Sequence, residues 1–374
     1  MLKGYKYRIY PNKEQEIQLS KTFGSVRFVY NQLLAKKIKL YKEEKMNLSY
    51  SNCSSILTSM KKQNYVWLKD VDKFALQNSL KDLDNAYQNF FREIQKGNKN
   101  HGFPKFKNKK ESRCSYKTNF TNNNIEVDFK NNKIKLPKLK WVKCKLHRSF
   151  VGKIKSATIS KNPNGKYFVS LCVDVENFQL PQNNNSVGID LGLKELLICS
   201  DGQVFENNKI LYKYQKQLTK LQRQFAHKNK GSNNWNKHRI KIAKVYEKIT
   251  NIRKDYLHKI SSRLIKENQF IFSEDLNISG MIKNHKLAKS IHDASWYELT
   301  RQLQYKSEWY GRTYKKISRY YPSSQLCNVC GYKNEDTKNL SVRFWVCSNC
   351  NTEHDRDLNA SINILNEGLK LINM

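Results

Sequence analysis

Near its C-terminal end the chain carries four cysteines in two CxxC pairs, Cys327 with Cys330 and Cys347 with Cys350, with sixteen residues between the pairs. That spacing is the spacing of a zinc ribbon, in which four thiolates close a tetrahedral shell around one ion. A closed shell leaves no open coordination position, so this zinc is expected to be structural, not catalytic. Directly beyond it runs His354-Asp355-Arg356-Asp357-Leu358-Asn359-Ala360. Soft thiolates select zinc, whereas hard carboxylate oxygens select magnesium or manganese. Two metal chemistries therefore adjoin, and an acid at the start of a terminal helix needs partners from elsewhere in the chain.

The chain has 374 residues, enough for two or three compact units with sizeable cores. Lys and Arg outnumber Asp and Glu by 69 to 32, a formal net charge of +37. An excess of one sign costs self-repulsion and implies a polyanionic partner. Nucleic acid is the first candidate and an anionic membrane the second. No apolar run approaches the roughly 18–20 residues that span a bilayer, and the Met1-Leu2-Lys3-Gly4-Tyr5-Lys6 start lacks an apolar signal core, so no membrane partner is expected. An AT-rich coding sequence would explain lysine in place of arginine but not two bases for every acid. The nine cysteines are odd in number; Cys53, Cys114, Cys144, Cys172 and Cys199 stand singly and are expected as buried small apolar residues. The localisation expected is cytoplasmic.

Residues Leu2 to Tyr10 alternate in polarity as a strand with one buried face does, and Pro11 ends the run. Asn12 with Gln15 predicts a capping box that opens a helix through Ile17, Leu19 and Phe23. Helical apolar spacing continues to about Gln95, predicting three or four helices. In the following basic stretch, Lys96, Lys99, Lys105 and Lys107 interleave with Phe103 and Phe106. Cations of this kind track phosphates and exposed rings stack on bases; a basic linker whose phenylalanines plug a core is the other reading. Strands are predicted at 124–129, 133–136, 141–146, 153–161 and 166–175, an antiparallel β unit that the first strand would join. The helices would then be inserted into a β barrel. Pro181 to Asn185 is a polar linker. After it come a strand through Val187-Gly188-Ile189-Asp190-Leu191-Gly192, two more strands, and a basic helical hairpin over 210–225 and 237–267. A short apolar strand, Phe270 to Glu274, follows. Ser295 with Glu298 predicts a second capping box, Tyr314 to Ile317 a further strand, and the last helix starts at about Asp357.

Three acids stand out. Asp190 lies inside an apolar strand, where an unpaired carboxylate costs several kcal/mol. Glu274 ends a second apolar strand. Asp357 opens the terminal helix, whose N-terminal dipole favours an anion, although Asp355 competes for the cap. Adjacent parallel strands ending in acids would converge them, and crowded like charges call for a bound cation. Three acids around two magnesium (or manganese) ions suit phosphodiester hydrolysis. On the ribbon, Arg343, Phe344 and Trp345 stand equally as nucleic-acid contacts or as core packing.

The motifs resemble those of the TnpB family, the transposon-encoded proteins related to type V CRISPR nucleases. GIDLG at Gly188 to Gly192 resembles the first RuvC-like motif and FSEDL at Phe272 to Leu276 the second. CNVCG, FWVCSNC and HDRDLNASINI resemble the zinc finger and third motif. YRIYPNKEQ, GFPKFK, KLPKLKWVK and KSATIS are weaker likenesses nearer the N-terminus. The resemblance implies an α+β multidomain chain. A β-barrel wedge domain would comprise 1–11 and 105–180, with a helical recognition domain inserted at 12–104. An RNase H-like (RuvC) nuclease domain would occupy 181–374, with the zinc ribbon inserted at 320–355. It also implies Asp190, Glu274 and Asp357 as catalytic metal ligands, with Asp357 chosen over Asp355 because it directly precedes x-Asn-Ala. Two departures occur: Asn351 stands where glycine is common and Ser361 where alanine is usual.

The family's activity would make this chain a metal-dependent endonuclease. It would hold a guide RNA from the transposon end and cut matching double-stranded DNA beside a short flanking motif, with base pairing reading the sequence. A guide-RNA-dependent DNA-binding transcriptional regulator is the second reading, which three intact carboxylates disfavour. A transposase is the third; no tyrosine or serine nucleophile motif supports it. The sequence leaves the guide, the flanking motif, the cut positions and monomer or dimer open.

Overall fold

The computed structural model describes residues 1–98, 102–109, 114–339 and 341–372. The chain divides into two compact units, Met1–Glu176 and Asn177–Met374.

The first unit opens with strand β1 (Leu2–Tyr10), followed by helices α1 (Lys13–Glu44), α2 (Tyr50–Lys62) and α3 (Lys73–Gln95). Both arms of the predicted capping box form: Asn12 Oδ1 accepts from Gln15 N at 2.8 Å, and Gln15 Oε1 accepts from Asn12 N at 3.1 Å. Six more strands follow, β2 (Cys114–Asn119), β3 (Glu126–Asp128), β4 (Lys133–Leu136), β5 (Lys140–Lys145), β6 (Lys153–Lys161) and β7 (Tyr167–Asp174). They pair antiparallel in the order β2-β6-β7-β1-β5-β4-β3, so the N-terminal strand sits in the middle of the sheet. Strand β2 escapes the sequence pattern because only Tyr116 and Thr118 face inward along a polar stretch. The helices and the sheet share one core: Leu19, Val29, Leu33 and Leu76 cluster with Tyr7, Ile134, Val142 and Val169.

The second unit begins with β8 (Ser186–Leu191), β9 (Glu195–Cys199) and β10 (Val204–Glu206). Helices α4 (Ile210–Ala226) and α5 (Asn233–Glu267) form the hairpin and lead into β11 (Phe270–Glu274). Helices α6 (Ile278–Met281), α7 (His285–Ala294) and α8 (Trp296–Tyr310) precede β12 (Thr313–Ile317). Beyond β12 come the ribbon strands β13 (Phe344–Val346) and β14 (Glu353–Asp355), then helix α9 (Arg356–Lys370). The sheet order is β10-β9-β8-β11-β12, with β8, β11 and β12 parallel. No helix among the described residues is long and apolar enough to cross a membrane.

One sequence expectation fails here. Ser295 makes no side-chain cap for α8; it sits in the left-handed region at φ 56° and its hydroxyl donates back to His292 O at 2.8 Å. Helices α7 and α8 abut at this residue, so there is no extended cap conformation for a box to use, and Glu298 pairs with Arg301 instead.

Side chains alternate across a strand, and this divides the sheet cleanly. Val187, Ile189 and Ile271 pack beneath α5, α7 and α8, with Leu257, Leu264 and Leu299 in the same cluster. Phe272 and Ile317 face the other way, against Ile364, Leu365 and Leu369 of α9. Helix α5 runs antiparallel to β8: Glu267 at its end accepts from Gln203 before β10, and Asn185 Nδ2 donates to Glu267 O, whereas the Tyr256 hydroxyl reaches Glu206 O at the far end of β10. The hairpin therefore projects roughly 35 Å past the edge where β8 and β11 end, at 1.5 Å per residue. Its base is locked by Asp293 of α7, whose carboxylate accepts from Leu211 N at 3.0 and 3.1 Å and pairs with Arg253 at 2.6 Å.

Candidate active site

The alternation that turns Val187 and Ile189 toward α5 turns Gly188 and Asp190 toward α9. Register pairs Phe272 with Gly188 and Ser273 with Ile189, so the next residue, Glu274, comes level with Asp190 on the adjoining parallel strand. Both acids thus leave one end of the sheet on the α9 face. Helix α9 lies directly on that face because Gly188 has no side chain: a Cβ there would stand 2.2 Å from Ser361 O and 2.5 Å from Leu365 N. A second close approach sets Gly368 against the Phe272 ring, where a Cβ would come within 2.2 Å. With Ser361 over Gly188, the first turn of α9 carries Asp357 toward Asp190.

The electrostatics record this convergence. Burial pushes the Asp190 carboxyl up to about 8; the charges of Glu274 and Asp357 push the same way, while Arg356 and the Leu191 N–H oppose. Glu274 is oriented by Ser323, whose hydroxyl donates to Oε1. Asp355, not Asp357, caps the helix: its Oδ1 accepts from Asp357 N at 3.0 Å and Leu358 N at 2.9 Å. That division frees the Asp357 carboxylate, which is met by Arg343 Nη1 at 2.8 and 3.1 Å. Arg343 therefore contacts an acid of the site itself. Arg356 is buried, and its Nε has no hydrogen-bond partner.

The ribbon is joined to the same helix. The four Sγ atoms of Cys327, Cys330, Cys347 and Cys350 lie within 4.8 Å of one another, the one such cluster of His, Cys, Asp and Glu ligand atoms among the described residues. The three carboxylates converge more loosely, as like charges do. Burial pushes the Cys327 thiol up to about 11, while a hydrogen bond from Asn349 pulls Cys330 down to about 6. Four convergent thiols fit a single zinc ion. His354 Nε2 lies 3.1 Å from Cys327 Sγ, and its ring stacks on the buried Trp345 at 4.5 Å. Two buried asparagines of α9 hook the ribbon's base: Asn359 Nδ2 donates to Leu326 O at 2.7 Å, and Asn363 Nδ2 to Ser323 O at 2.8 Å and Leu326 O at 2.6 Å. The two departures from the family pattern are accommodated. Asn351 adopts φ 55°, which asparagine tolerates, and the buried Ser361 hydroxyl donates to Leu358 O at 2.7 Å.

The basic stretch in the first unit is mixed. Lys99 lies outside the described residues. Lys96 pairs with Glu93 at 3.7 Å, and Phe103 packs edge-on to Tyr87 and Phe90 while keeping part of its ring exposed. Lys107 is held against α1: its backbone exchanges two 2.8 Å hydrogen bonds with Asn31, its Nζ sits 3.9 Å from the Tyr30 ring, and burial lowers its pKa. Lys105 and Phe106 are exposed.

Sequence reasoning missed Ser323, Arg356, His354, Asn359 and Asn363. Only the asparagines left a signal, two amides four residues apart on the apolar face of a helix.

Comparison with known proteins now decides the family. Residues 1–46, 170–285 and 296–364 match family models described respectively as a helix-turn-helix domain, a probable transposase (OrfB_IS605) and the Cas12f1-like TNB domain. A Streptomyces pristinaespiralis protein named "Putative RNA-guided DNA endonuclease" is 37% identical over 98% of this chain and 89% of its own. The similarly named InsQ of Escherichia coli K12 is 34% identical over 98% and 92%. The chain belongs to the TnpB family. TnpB-like protein L79 of Acanthamoeba polyphaga mimivirus, 25% identical, aligns over 55% of this chain and 41% of its own. Among solved structures, the Cas12f1 chain of an sgRNA–target DNA complex superposes with a TM-score of 0.60, covering 97% of this chain and 98% of that one at 14% identity. The TnpB fold of this chain is thus Cas12f1-like, with helices, two principal sheets and a four-cysteine ribbon.

Proposed function

We propose that the protein is an RNA-guided DNA endonuclease in which Asp190, Glu274 and Asp357 are the catalytic carboxylates. The observation that carries this reading is the Asp190 carboxyl, raised to about 8 by burial and by the other two acids. Such a group is either protonated or matched by a cation at neutral pH. A site of carboxylate oxygens suits two magnesium or manganese ions. Bound there, they would supply an activated water and stabilisation of the leaving oxygen during phosphodiester hydrolysis.

The chain's own residues would prepare that chemistry. Ser323 fixes the rotamer of Glu274, Asp355 takes the helix cap so that Asp357 stays available, and Arg356 offsets the local negative charge. One structural zinc on Cys327, Cys330, Cys347 and Cys350 would hold the ribbon, and the Asn359 and Asn363 hooks would transmit its position to α9. Within this reading, residues 1–11 and 105–180 serve as the wedge, 12–104 as the recognition helices, 181–374 as the nuclease and 320–355 as the ribbon. Lys96, Lys99, Phe103, Lys105, Phe106 and Lys107 are nucleic-acid contacts. The names of the Streptomyces and Escherichia coli relatives support an RNA guide and DNA as partners; the reading takes the DNA as double-stranded, the guide as transcribed from a transposon end and the chain as acting in the cytoplasm.

The test is purification from cells, sequencing of the co-eluting RNA, and cleavage of DNA matched to it. One uniform RNA and cutting that Asp190→Ala abolishes while RNA-dependent binding persists are expected. Cleavage undiminished in Asp190→Ala would overturn the site. Binding without cutting by the parent protein would favour a regulator, and strand joining a transposase.

A further inference from the structure

Two exposed aromatic rings flank the carboxylate edge. We propose that Tyr320 and Phe344 form a stacking platform for the unpaired bases of a single DNA strand lying across it. The inference rests on the endonuclease reading and assigns two side chains that would hold its substrate beside the site.

Tyr320 is 90% exposed, yet it stands on an ordered turn. Tyr321 N donates to Ser318 O at 3.2 Å, and Ser323 N to Tyr321 O at 2.9 Å. The turn is fastened to the end of β11 at both sides. Arg319 Nε donates to Asp275 O at 2.9 Å, Lys316 Nζ reaches Asp275 Oδ1 at 3.1 Å, and Ser323 holds Glu274. The neighbouring Tyr321 turns inward onto the Phe272 and Ile364 cluster, so the outward ring of Tyr320 follows from the backbone, not from disorder in the turn.

Phe344 has the same character. In β13 the alternation buries Trp345 against His354 and turns Phe344 outward, 76% exposed. Its register partner is Asp355, the cap of α9, and the preceding Arg343 pairs with Asp357. Each ring is thus within a few residues of a side chain that touches a site carboxylate. Among the described residues neither ring stacks on another ring.

A duplex hides the faces of its bases, whereas an unpaired strand offers one at every nucleotide. Stacking is indifferent to base identity, which suits a protein whose sequence reading is done by pairing. Asp275 pairs with both Lys316 and Arg319, which leaves one net positive charge beside Tyr320 for a phosphate, while the ring offers the surface for a base.

The test uses the full-length Asp190→Ala protein and a fluorescent thymidine oligonucleotide beside its abasic analogue, which keeps the phosphates and lacks the bases. Tyr320→Ala and Phe344→Ala should each weaken binding of the thymidine strand about tenfold and leave the abasic strand unchanged. Tyr320→Phe and Phe344→Trp should restore binding; Tyr320→Leu should not. On the Asp190 parent, guided cleavage should show KM raised and kcat little altered, with zinc content confirming a folded ribbon. Equal binding of the thymidine strand by parent and alanine variants overturns the platform, as does an equal loss for both strands. A parent that cuts guided DNA with unchanged KM in the variants overturns the platform alone; a parent that neither binds nor cuts overturns the endonuclease reading with it.

Discussion

Asp190→Asn isolates the electrostatic strain at the centre of the proposed site. An unfolded aspartate releases its proton near pH 3.9, but the folded carboxyl keeps it to about 8. Between those values the folded state binds more protons than the unfolded state, so this residue's contribution to stability falls as pH rises and levels off above 8. The slope is about 1.4 kcal/mol per pH unit, or about 4 kcal/mol by pH 7. Asp190 is half-buried, not sealed, so solvent screening trims the expected loss to about 2–4 kcal/mol. Asparagine keeps the shape and cannot ionise. In magnesium-free buffer it should be close to neutral at pH 4 and stabilising by that amount at pH 7.

The assay is urea unfolding of both proteins across this pH range, followed by a probe in the second unit because two units need not unfold together. Magnesium is omitted and not chelated, since a chelator would also draw zinc from the thiolates. All other carboxylates titrate in both proteins, so the difference between them isolates Asp190. Added magnesium should stabilise the parent at pH 8 and the variant far less. A difference that does not change with pH, or equal stabilisation of both by magnesium, would refute the reasoning.

Other positions test the scaffold. Gly188→Ala drives a Cβ to within 2.2 Å of Ser361 O, so α9 must shift; urea denaturation should show a loss of about 3 kcal/mol and guided cleavage should fail. Arg343→Gln removes the cation from Asp357; manganese titration followed by EPR should show tighter binding by up to about fivefold, the range of a half-exposed ion pair. Lys306 is 5% exposed, donates to Ser261, Ser262 and His258 O without a carboxylate partner, and is pulled down to about 8 by burial. Because an unfolded lysine holds its proton to about 10.4, stability should rise by about 2–3 kcal/mol between pH 8 and 10.4; Lys306→Met should abolish the rise in urea titrations at the two pH values.

The sequence made legible whatever obeys a strong period or a stoichiometric motif. Residues Leu2–Tyr10 and Phe270–Glu274 are strands with the bounds their patterns predict, and the Asn12 box closes as read. Strand β2 and helices α6 and α7 were not legible, since each takes its form from neighbours: β2 from pairing with β6, α7 from packing Ile291 and Ala294 into the sheet's core. The Ser295 box failed because two helices abut where one start was assumed. At the proposed site, residue types singled out the candidate acids but not their attendants. Nothing local marks Arg343 as a partner of Asp357, because the contact spans a ribbon whose fold the spacing of cysteines implies without describing. The contest between Asp355 and Asp357 for the helix cap was settled by backbone geometry, since only Asp355 has the extended conformation of a cap, at φ −73° and ψ 126°.

The direction of α5 gives the net charge a mechanical meaning under the proposed function. Three carboxylates at one edge repel a phosphodiester, and this repulsion acts over roughly a Debye length, about 8 Å at physiological salt. From Lys209 to Lys254 the hairpin carries fourteen Lys and Arg against one acid, Glu247. Because α5 runs antiparallel to β8 and β11, that charge projects beyond the edge that carries Asp190 and Glu274, not behind the sheet. A polyanion captured along the arm is therefore held next to the carboxylates, at a distance where its own attraction to many cations outweighs repulsion by three acids. The arrangement separates binding from chemistry. Raising ionic strength should slow capture steeply and leave the single-turnover rate of the assembled complex nearly unchanged, and equal slowing of both steps would place the basic arm inside the chemical step.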